Sequence, residues 1–398
     1  MKGSLFTQTQ QYAQEMVNWR RYLHQHGEVG FDLPDTFAFV WSELEKMGYT
    51  LQKCGKCGIV AIVGTGRKTI LLRADMDALP LEEESGLSFA STRGTAHACG
   101  HDLHTAMLLG AARLLKDREG DLHGRVKLMF QPAEEILEGA MDMIDHGVLE
   151  NPKPDVALMI HVMNAEDMKT GMVIIPEAGV SAPAANMFEI VVHGKGCHGA
   201  MPHTGVDPIN AASHIVLALQ AISCRELSLS DSHALTVASF RAGDSCNVIP
   251  EKAVLQGSVR SYSNETQAFL RRRIEQISEC TARTFNAETK VNFISGCPTL
   301  LNDQTLVNQA NEILRGILGA EYVFSVENLK GSNQKSTGSE DFSYLSHQLP
   351  SLMLALAAGD GSKPLPLHHP KVIFSEDTLV YGAAVYAGFA LEWLARNQ

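Results

Sequence analysis

Residues 69–77 read TILLRADMD, a short run of mostly apolar residues that is followed at once by two acids, Asp75 and Asp77. The segment Thr69–Ala74 has the continuous apolar character expected of a strand buried in a parallel sheet, and so does the preceding run Gly58–Val63. Further along the chain, residues 126–130 and 156–160 look like additional strands, while residues 10–48 and 104–116 carry apolar side chains at helical spacing. Strands that alternate with helices predict an α/β fold, in which helices flank a mostly parallel central sheet.

The pattern changes after about residue 183. Strand-like segments at residues 187–192, 233–240, 253–260 and 289–294 are interleaved with helical segments at residues 208–222 and 266–285. The resulting order, β-α-β-β-α-β, is that of ferredoxin-like domains. A chain of 398 residues is also long enough for two domains. We therefore expect residues 1–183 and 298–398 to form one domain, and residues 184–297 to form an α+β domain inserted into it.

The composition excludes several kinds of function. The formal charge is −12, with 33 basic against 45 acidic residues, whereas binding to nucleic acid or to an anionic membrane surface requires a basic surface. The first residues do not resemble a signal peptide, and no segment has the roughly 18 uninterrupted apolar residues of a membrane span. Eight scattered cysteines do not resemble a disulfide framework. We expect a cytoplasmic protein without nucleic-acid or membrane partners.

Residues 97–104, which read HACGHDLH, concentrate metal-binding side chains within eight positions. Two adjacent acids then occur in residues 131–135, QPAEE, just after the predicted strand 126–130. Cysteine, histidine and carboxylate ligands that hold a divalent ion, together with one spare carboxylate for proton transfer, are typical of a hydrolytic metal site. The sequence therefore predicts a metal-dependent hydrolase.

Several candidate residues directly follow or end predicted strands: Asp75, Asp77, Glu134, Glu135 and His161. In open parallel sheets, ligands collect at the carboxyl ends of the strands, so we expect these side chains at one edge of the sheet. Consecutive side chains diverge, which makes it difficult for Glu134 and Glu135 both to bind metal. One of them is expected to bind the ion, and the other to take a proton from water.

Cys54 and Cys57 have the C-x-x-C spacing of redox motifs, but the pair is isolated and precedes strand-like residues. Two unpaired thiols in a turn are the simpler interpretation. A thiol-redox function would predict an activity that survives chelation and is lost in Cys57→Ser.

Seven short motifs follow one another along the chain: RRYLH (residues 20–24), LRADMDALP (72–80), HACGHD (97–102), FQPAEE (130–135), CHGAMPH (197–203), NVIP (247–250) and GSEDF (338–342). Together and in this order, they resemble the aminoacylase-like amidohydrolases of the zinc metallopeptidase superfamily. This family includes hippurate hydrolases, N-acyl amino acid deacylases, N-acetyldiaminopimelate deacetylases and plant auxin-conjugate hydrolases. The resemblance covers nearly the whole chain.

The resemblance implies five metal ligands: Cys99, His101, Glu135, His161 and His368. Five ligands suit two divalent ions bridged by the thiolate and a water, and the family holds zinc or manganese. The family pattern Leu-His-x-Pro fits residues 367–370 with His368 as the ligand. His369 follows directly and is the alternative, since neighbours on an extended segment point in opposite directions.

The resemblance also implies roles for the acids around the metals. Glu134 is the implied general base, which leaves Glu135 as the ligand. Asp77 corresponds to an acid that orients a histidine of the site. Asp75 stands where related peptidases have a metal-binding histidine, so its role stays open.

For the inserted domain, the resemblance implies a lid or dimerisation function. His198 corresponds to a histidine that reaches across a dimer and stabilises the oxyanion. Asn247 and Arg260 match positions near the amino acid part of the substrate, where an arginine can bind both oxygens of a carboxylate. An ordinary surface arginine is the alternative reading of Arg260.

These expectations combine into one functional prediction. The chain is expected to be a dinuclear metal-dependent amidohydrolase that cleaves N-acyl amino acids into a carboxylic acid and a free amino acid, and to work as a homodimer or homotetramer. A metallo-dipeptidase or carboxypeptidase is the nearest alternative. A non-catalytic metal-binding scaffold is a further one, although a scaffold has no need of a spare base.

Overall fold

A computed structural model of the protein describes residues 4–164, 168–326, 335–359, 361 and 363–398. The chain divides into two compact units. The larger unit comprises residues 1–181, 301–335 and 341–398, and the smaller unit comprises residues 182–300 and 336–340. The chain therefore leaves the larger unit at residue 182 and returns to it at residue 301, and a later short segment, residues 336–340, belongs to the smaller unit again.

The α-helices in chain order are α1 (Ser4–Gln11), α2 (Ala13–Gln25), α3 (Pro34–Lys46), α4 (His101–Asp117), α5 (Gly139–Asp145), α6 (Pro208–Ala221), α7 (Asn264–Thr284), α8 (Gln304–Leu318), α9 (Ser343–Ser346) and α10 (Thr378–Arg396). The strands are β1 (Leu51–Cys54), β2 (Gly58–Val63), β3 (Thr69–Asp75), β4 (Arg125–Gln131), β5 (Val156–Met163), β6 (Val173–Ile175), β7 (Gly179–Ala182), β8 (Ala184–His193), β9 (Cys197–His198), β10 (His233–Ala242), β11 (Val248–Ile249), β12 (Lys252–Ser261), β13 (Glu288–Cys297), β14 (Leu300–Asn302), β15 (Val323–Ser325) and β16 (Ser351–Ala357).

An eight-stranded sheet forms the centre of the larger unit, in the order β1-β2-β4-β3-β5-β16-β6-β15. The four strands in its middle, β4, β3, β5 and β16, run parallel to one another. All seven residues of β3 are buried, as expected for a strand with helices on both faces. The mixed α/β fold with helices around the sheet agrees with the prediction.

The expectation of a parallel strand is wrong for β2. This strand has the predicted bounds, but it pairs antiparallel with both β1 and β4. The loop from β2 to β3 is short and reverses the chain, while β4 inserts between the two strands. An apolar run indicates burial on both faces but carries no information on strand direction, which depends on this later insertion.

Helices α4 and α10 pack against each other and complete the core of the larger unit. By length and composition α10 is apolar enough to cross a membrane, the one such helix among the residues that the structure describes. However, 72% of its most apolar window is buried inside the protein. Its apolar character is therefore explained by its place in the core.

The smaller unit is built on an antiparallel sheet in the order β10-β12-β8-β13. Two helices, α6 and α7, cover one face and share a core with the sheet, which includes Phe188, Ile215 and Leu270. The chain order of strands and helices is the predicted β-α-β-β-α-β. In addition, β9 and β11 form a short two-stranded ribbon.

Candidate metal centre

The candidate ligands lie at one edge of the larger unit's sheet. Strands β3, β4 and β5 are parallel, so their carboxyl ends meet at the same edge, and α4 begins there at His101. His161 is predicted to end its strand, but β5 continues to Met163 and His161 lies within it. The loop ahead of α4 brings Cys99 to the same edge.

Gly100 allows both of its neighbours to face this edge. Its φ of +88° lies in the left-handed region, where residues with a Cβ are rarely found. A Cβ at this position would also stand 2.3 Å from Cγ2 of Val162. A glycine is therefore needed between Cys99 and His101, because both the backbone conformation and the packing exclude a side chain.

The ring of His101 is oriented by the backbone. Its Nδ1 lies 2.9 Å from the carbonyl oxygen of Asp77, which makes Nδ1 the donor and leaves the lone pair of Nε2 facing the site. This Nε2 is 3.8 Å from Oε1 of Glu135 and 4.0 Å from Oε2 of Glu134. The Asp77 carboxylate is more distant from Nδ1, at 3.6 Å. Asp77 thus contacts the ring most closely through its carbonyl group.

His161 is oriented in the same way. Its Nδ1 donates to the carbonyl oxygen of Val162 at 2.7 Å, and its Nε2 is 3.5 Å from the sulfur of Cys99. Burial, together with the neighbouring His104, lowers the pKa of His161 to about 3. The ring is therefore neutral near pH 7, which is the form that binds metal.

Asp77 holds the acid pair with both oxygens of its carboxylate. Oδ1 accepts from the backbone N–H of Glu134 at 3.0 Å, and Oδ2 accepts from that of Glu135 at 3.2 Å. The preceding residue, Ala133, has a φ of +58°. At this turn the expected divergence of consecutive side chains does not separate the two acids, because both carboxylates come within 4.0 Å of Nε2 of His101.

Of the two adjacent histidines, His368 is the one that meets the cluster. Its Nε2 is 3.5 Å from Oε2 of Glu135, and a left-handed backbone with a φ of +66° supports this orientation. The backbone N–H of His368 donates to the carbonyl oxygen of Ala98 at 3.0 Å, which ties this loop to the loop of Cys99. Nδ1 of His369 instead accepts from the N–H of Lys371. Non-glycine residues with positive φ are uncommon and tend to occur at functional sites.

Two features of these residues fit a divalent metal. Nε2 of His101 and Oε1 of Glu135 are buried without a hydrogen-bond partner, a costly state that a bound cation would relieve. The donor atoms also gather closely, within 4.8 Å of one another in each of three groups: Cys99 with His101 and His161, Cys99 with Glu135 and His368, and His101 with Glu134 and Glu135. Sulfur, nitrogen and oxygen donors of this kind suit zinc and related ions.

The protonation of the cluster is also coupled to metal binding. Burial raises the pKa of Cys99 to about 12. Burial likewise raises the pKa of Glu135, with nearby Asp77 and Asp75 adding to the effect. A divalent ion favours the thiolate and the carboxylate, so binding it would displace the protons from both groups.

The residues that are predicted to contact the substrate lie in the smaller unit. His198, on β9, is exposed, and its Nδ1 accepts from the N–H of Ala200. Asn247 is exposed directly ahead of β11, which pairs with β9, and its carbonyl oxygen accepts from the N–H of Gly199, so His198 and Asn247 lie at the same ribbon. Arg260 lies on β12 and is half-buried, and its guanidinium donates to the hydroxyl of Ser339.

The site has a supporting layer that sequence reasoning did not include. The buried carboxylate of Asp341 accepts from Arg73 at 2.8 Å, from Gln131 at 2.7 Å and from the N–H of Ala140 at 2.8 Å. Each of these side chains lies in or next to a quoted motif, yet only the fold brings residues 73, 131 and 341 together. His104 also belongs to this layer. The available signal was its spacing of three residues from His101, which puts both on one face of α4.

A mostly parallel sheet whose edge carries cysteine, histidine and carboxylate donors, with one acid more than the ligands need, defines a metal-dependent hydrolase. A comparison of the sequence with known families identifies the family within this class. The chain matches the peptidase family M20/M25/M40 over residues 71–392, and it belongs to that family. The predicted resemblance to the aminoacylase-like branch is confirmed by the relatives below.

Two relatives and one solved structure are similar over nearly the whole chain. The chain is 35% identical over 370 residues to the N-acetyl-L-cysteine deacetylase of Bacillus subtilis, covering 92% of this chain and 85% of that protein. It is 33% identical over 385 residues to the hippurate hydrolase of Campylobacter jejuni, covering 96% and 97%. The crystal structure of the Bacillus subtilis YXEP protein, a dinuclear metal-binding peptidase of the M20 family, aligns with a TM-score of 0.76 and 29% identity, covering 97% and 99%.

Proposed function

We propose that the protein hydrolyses N-acyl amino acids into a carboxylic acid and a free amino acid, using two divalent ions that are zinc or manganese. The observation that carries the proposal is the acid pair, in which Asp77 holds Glu134 and Glu135 beside His101. One acid can bind metal while the other moves a proton. The names of the two relatives, a deacetylase of an N-acetylated amino acid and a hippurate hydrolase, support the same substrate class.

The proposed ligands are Cys99, His101, Glu135, His161 and His368. When bound, the ions supply Lewis acidity, which polarises the substrate carbonyl and acidifies water. Glu134 accepts the proton of the attacking water and then delivers it to the leaving amine. Glu134 is suited to this proton transfer because Asp77 fixes its backbone N–H and because only 5% of the residue is exposed.

In the smaller unit, we assign binding of the substrate to three residues. Arg260 has the forked guanidinium that can bind both oxygens of the amino acid carboxylate, and Asn247 adds a polar contact. His198 stabilises the oxyanion that develops on the carbonyl oxygen. The exposure of His198 and Asn247 leaves their side chains open to a substrate.

We also propose a homodimer or homotetramer in the cytoplasm. Seven of the eight exposed large apolar side chains among the described residues belong to the smaller unit, including Leu217 at 70%, Ile294 at 55% and Val248 at 53% exposure. Exposed apolar side chains concentrated in one unit favour an interface there. Cys54, Cys57, Cys99 and the exposed Cys224, Cys246 and Cys280 are free thiols, which suits a reducing compartment.

The first test is the release of amine from a panel of substrates, before and after chelation. The panel contains hippurate, N-acetylcysteine, further N-acetyl amino acids, an indole-acetyl amino acid and several dipeptides with a free amino terminus. We expect release from the acylated substrates that stops with chelator and returns with zinc or manganese. Turnover of dipeptides alone would identify a peptidase instead. No release from a protein that holds two ions would favour the non-catalytic scaffold.

The role of Glu134 is tested by Glu134→Gln. We expect the variant to keep its metal content, measured by elemental analysis, and to lose about 10²–10⁴-fold in turnover, the contribution typical of a general acid–base. Glu84→Gln, a change of an exposed acid of the same unit, is the matched control and should leave turnover unchanged. Near-full activity of Glu134→Gln with metal bound would refute the assignment.

The thiol-redox alternative has little support. Cys54 donates to the carbonyl oxygen of Met143, and Cys57 donates to that of Phe31, so both are held as thiols. Burial raises the pKa of each to about 11. Reactive cysteines have a lowered pKa and partial exposure, which neither residue has.

A further inference from the structure

Asp75 is fully buried at the carboxyl end of β3, and each of its carboxylate oxygens has a partner. Oδ2 accepts from Nη1 of Arg73 at 2.7 Å, and Oδ1 accepts from Nδ1 of His104 at 2.6 Å. Both carboxylate oxygens of Asp75 are therefore engaged by donors of the protein itself.

His104 is equally committed to protein partners. Its Nδ1 donates to Asp75, and its Nε2 accepts from the backbone N–H of Val162 at 2.8 Å. The donor atoms of Asp75, His101 and His104 lie within 4.8 Å of one another, as in a metal site. However, both ring nitrogens of His104 are engaged, so no lone pair remains for an ion. The cluster differs in this respect from that of His101, whose Nε2 has no hydrogen-bond partner.

The contact between His104 and Val162 fills a gap in the sheet. The pairing of β3 with β5 ends at the register pair Arg73–Met159, so beyond that point the N–H groups on this edge of β5 have no partner in β3. Ile160 donates its N–H to the hydroxyl of Tyr386 at 2.9 Å, and this hydroxyl donates to the carbonyl oxygen of Arg73. Val162 donates its N–H to His104 instead. Side chains thus replace the missing strand contacts where the two strands separate.

Val162 transmits the position of His104 to a proposed ligand. Its carbonyl oxygen accepts from Nδ1 of His161 at 2.7 Å, while its N–H is held by His104. The backbone of Val162 is therefore fixed on both of its polar groups. This fixes the proton of His161 on Nδ1 and directs its Nε2 toward Cys99, 3.5 Å away.

We propose that Asp75 and His104 are positioning residues that orient His161 through Val162, and that Asp75 itself does not bind metal. The inference rests on the proposed metal centre. Outer partners of metal-binding histidines change metal affinity by about 10–100-fold when they are removed. Asp75 and His104 thus orient His161 through the backbone of β5, whereas the carbonyl group of Asp77 orients His101.

The test is a cobalt(II) titration of the metal-free protein, followed by absorption spectroscopy and elemental analysis. We expect Asp75→Ala and His104→Ala each to weaken the binding of one cobalt ion by about 10–100-fold. The ion affected should be the one that His161→Ala loses. Because the two residues act in series, the double variant should lose no more than either single variant. His104→Gln, whose side-chain oxygen can accept from Val162, should restore most of the affinity.

Thr105→Val is the matched control, because the Thr105 hydroxyl donates to the backbone carbonyl of Asp75 but lies outside the proposed chain of contacts. It should leave the cobalt titration unchanged. If the alanine variants do not fold, as judged by circular dichroism of the metal-free form, Asp75→Leu and His104→Phe, which fill the same space without these hydrogen bonds, carry the test. Asp75→Asn keeps an acceptor for His104 and should therefore bind both ions.

Three results would overturn the proposal. Wild-type cobalt binding in both alanine variants would show that the pair does not position a ligand. Loss of an ion in Asp75→Asn, with normal binding in His104→Ala, would make Asp75 a ligand. Wild-type protein that binds no cobalt would refute the metal centre and the positioning role together, whereas unchanged variants beside a normal wild type refute the positioning role alone.

Discussion

His24 is a buried histidine held between two carboxylates. Its Nδ1 is 2.8 Å from Oδ2 of Asp102, and its Nε2 is 3.0 Å from Oε1 of Glu83. Arg20 also contacts Asp102, at 2.7 Å. Burial alone would lower the pKa of His24, but Asp102 and then Glu83 outweigh it and raise the pKa to about 8. The charged ring therefore ties residues of α2 and the loop after β3 to the first turn of α4, next to His101.

This raised pKa predicts a pH-dependent contribution to stability. The folded-state value exceeds the ordinary 6.5, so the contribution is fully present below pH 6.5 and is lost as the pH rises through 8. Its size is on the order of 2 kcal/mol, because one pKa unit corresponds to about 1.4 kcal/mol. Urea unfolding of the wild type and His24→Gln should show a difference in unfolding free energy at pH 6 that shrinks by about this amount at pH 9. An equal difference at both pH values would contradict the assignment.

At the scale of elements, the start of α4 depends on Gly100. We expect Gly100→Ala to lower the unfolding free energy by about 2–4 kcal/mol, combining left-handed strain with overpacking against Val162. It should also lower the bound metal, because Cys99 and His101 flank the position. Gly86→Ala separates the two effects, since Gly86 has a φ of +75° but nothing within 4 Å of an added Cβ. Thermal unfolding and metal analysis of both variants check this, and equal losses would rule out the steric contribution.

The strands show which parts of the fold can be predicted from the sequence. Long apolar runs predict strands at the correct positions, and the predicted bounds of β2, Gly58–Val63, are those observed. Strands β6 and β15 have only three residues each, too few for a periodic pattern, and were not predicted. The predicted direction of β2 is wrong, because the direction of this strand depends on where β4, a later strand, inserts into the sheet. The choice between His368 and His369 came from a family pattern, since the deciding contact with Glu135 is a long-range one.

At the scale of the whole molecule, the proposed oligomer makes a prediction about activity in mixtures. If His198 acts on the site of a partner subunit, His198→Ala and Glu134→Gln should each be inactive alone and regain part of the activity when mixed under conditions that exchange subunits. His203→Ala, a change of an exposed histidine in the same segment, is the matched control for His198→Ala. Light scattering gives the subunit number. Failure to recover any activity in a confirmed mixed oligomer would exclude the contribution across subunits.

The place of β16 in the large sheet has a consequence for how the protein is made in the cell. This strand, residues 351–357, lies between β5 and β6, which are synthesised before the entire smaller unit. At typical translation rates of about 5–20 residues per second, β5 leaves the ribosome roughly ten to forty seconds before its neighbour does. During that interval one edge of β5 has no strand beside it, and such edges invite aggregation. Nascent chains of this protein are thus expected to rely on ribosome-associated chaperones.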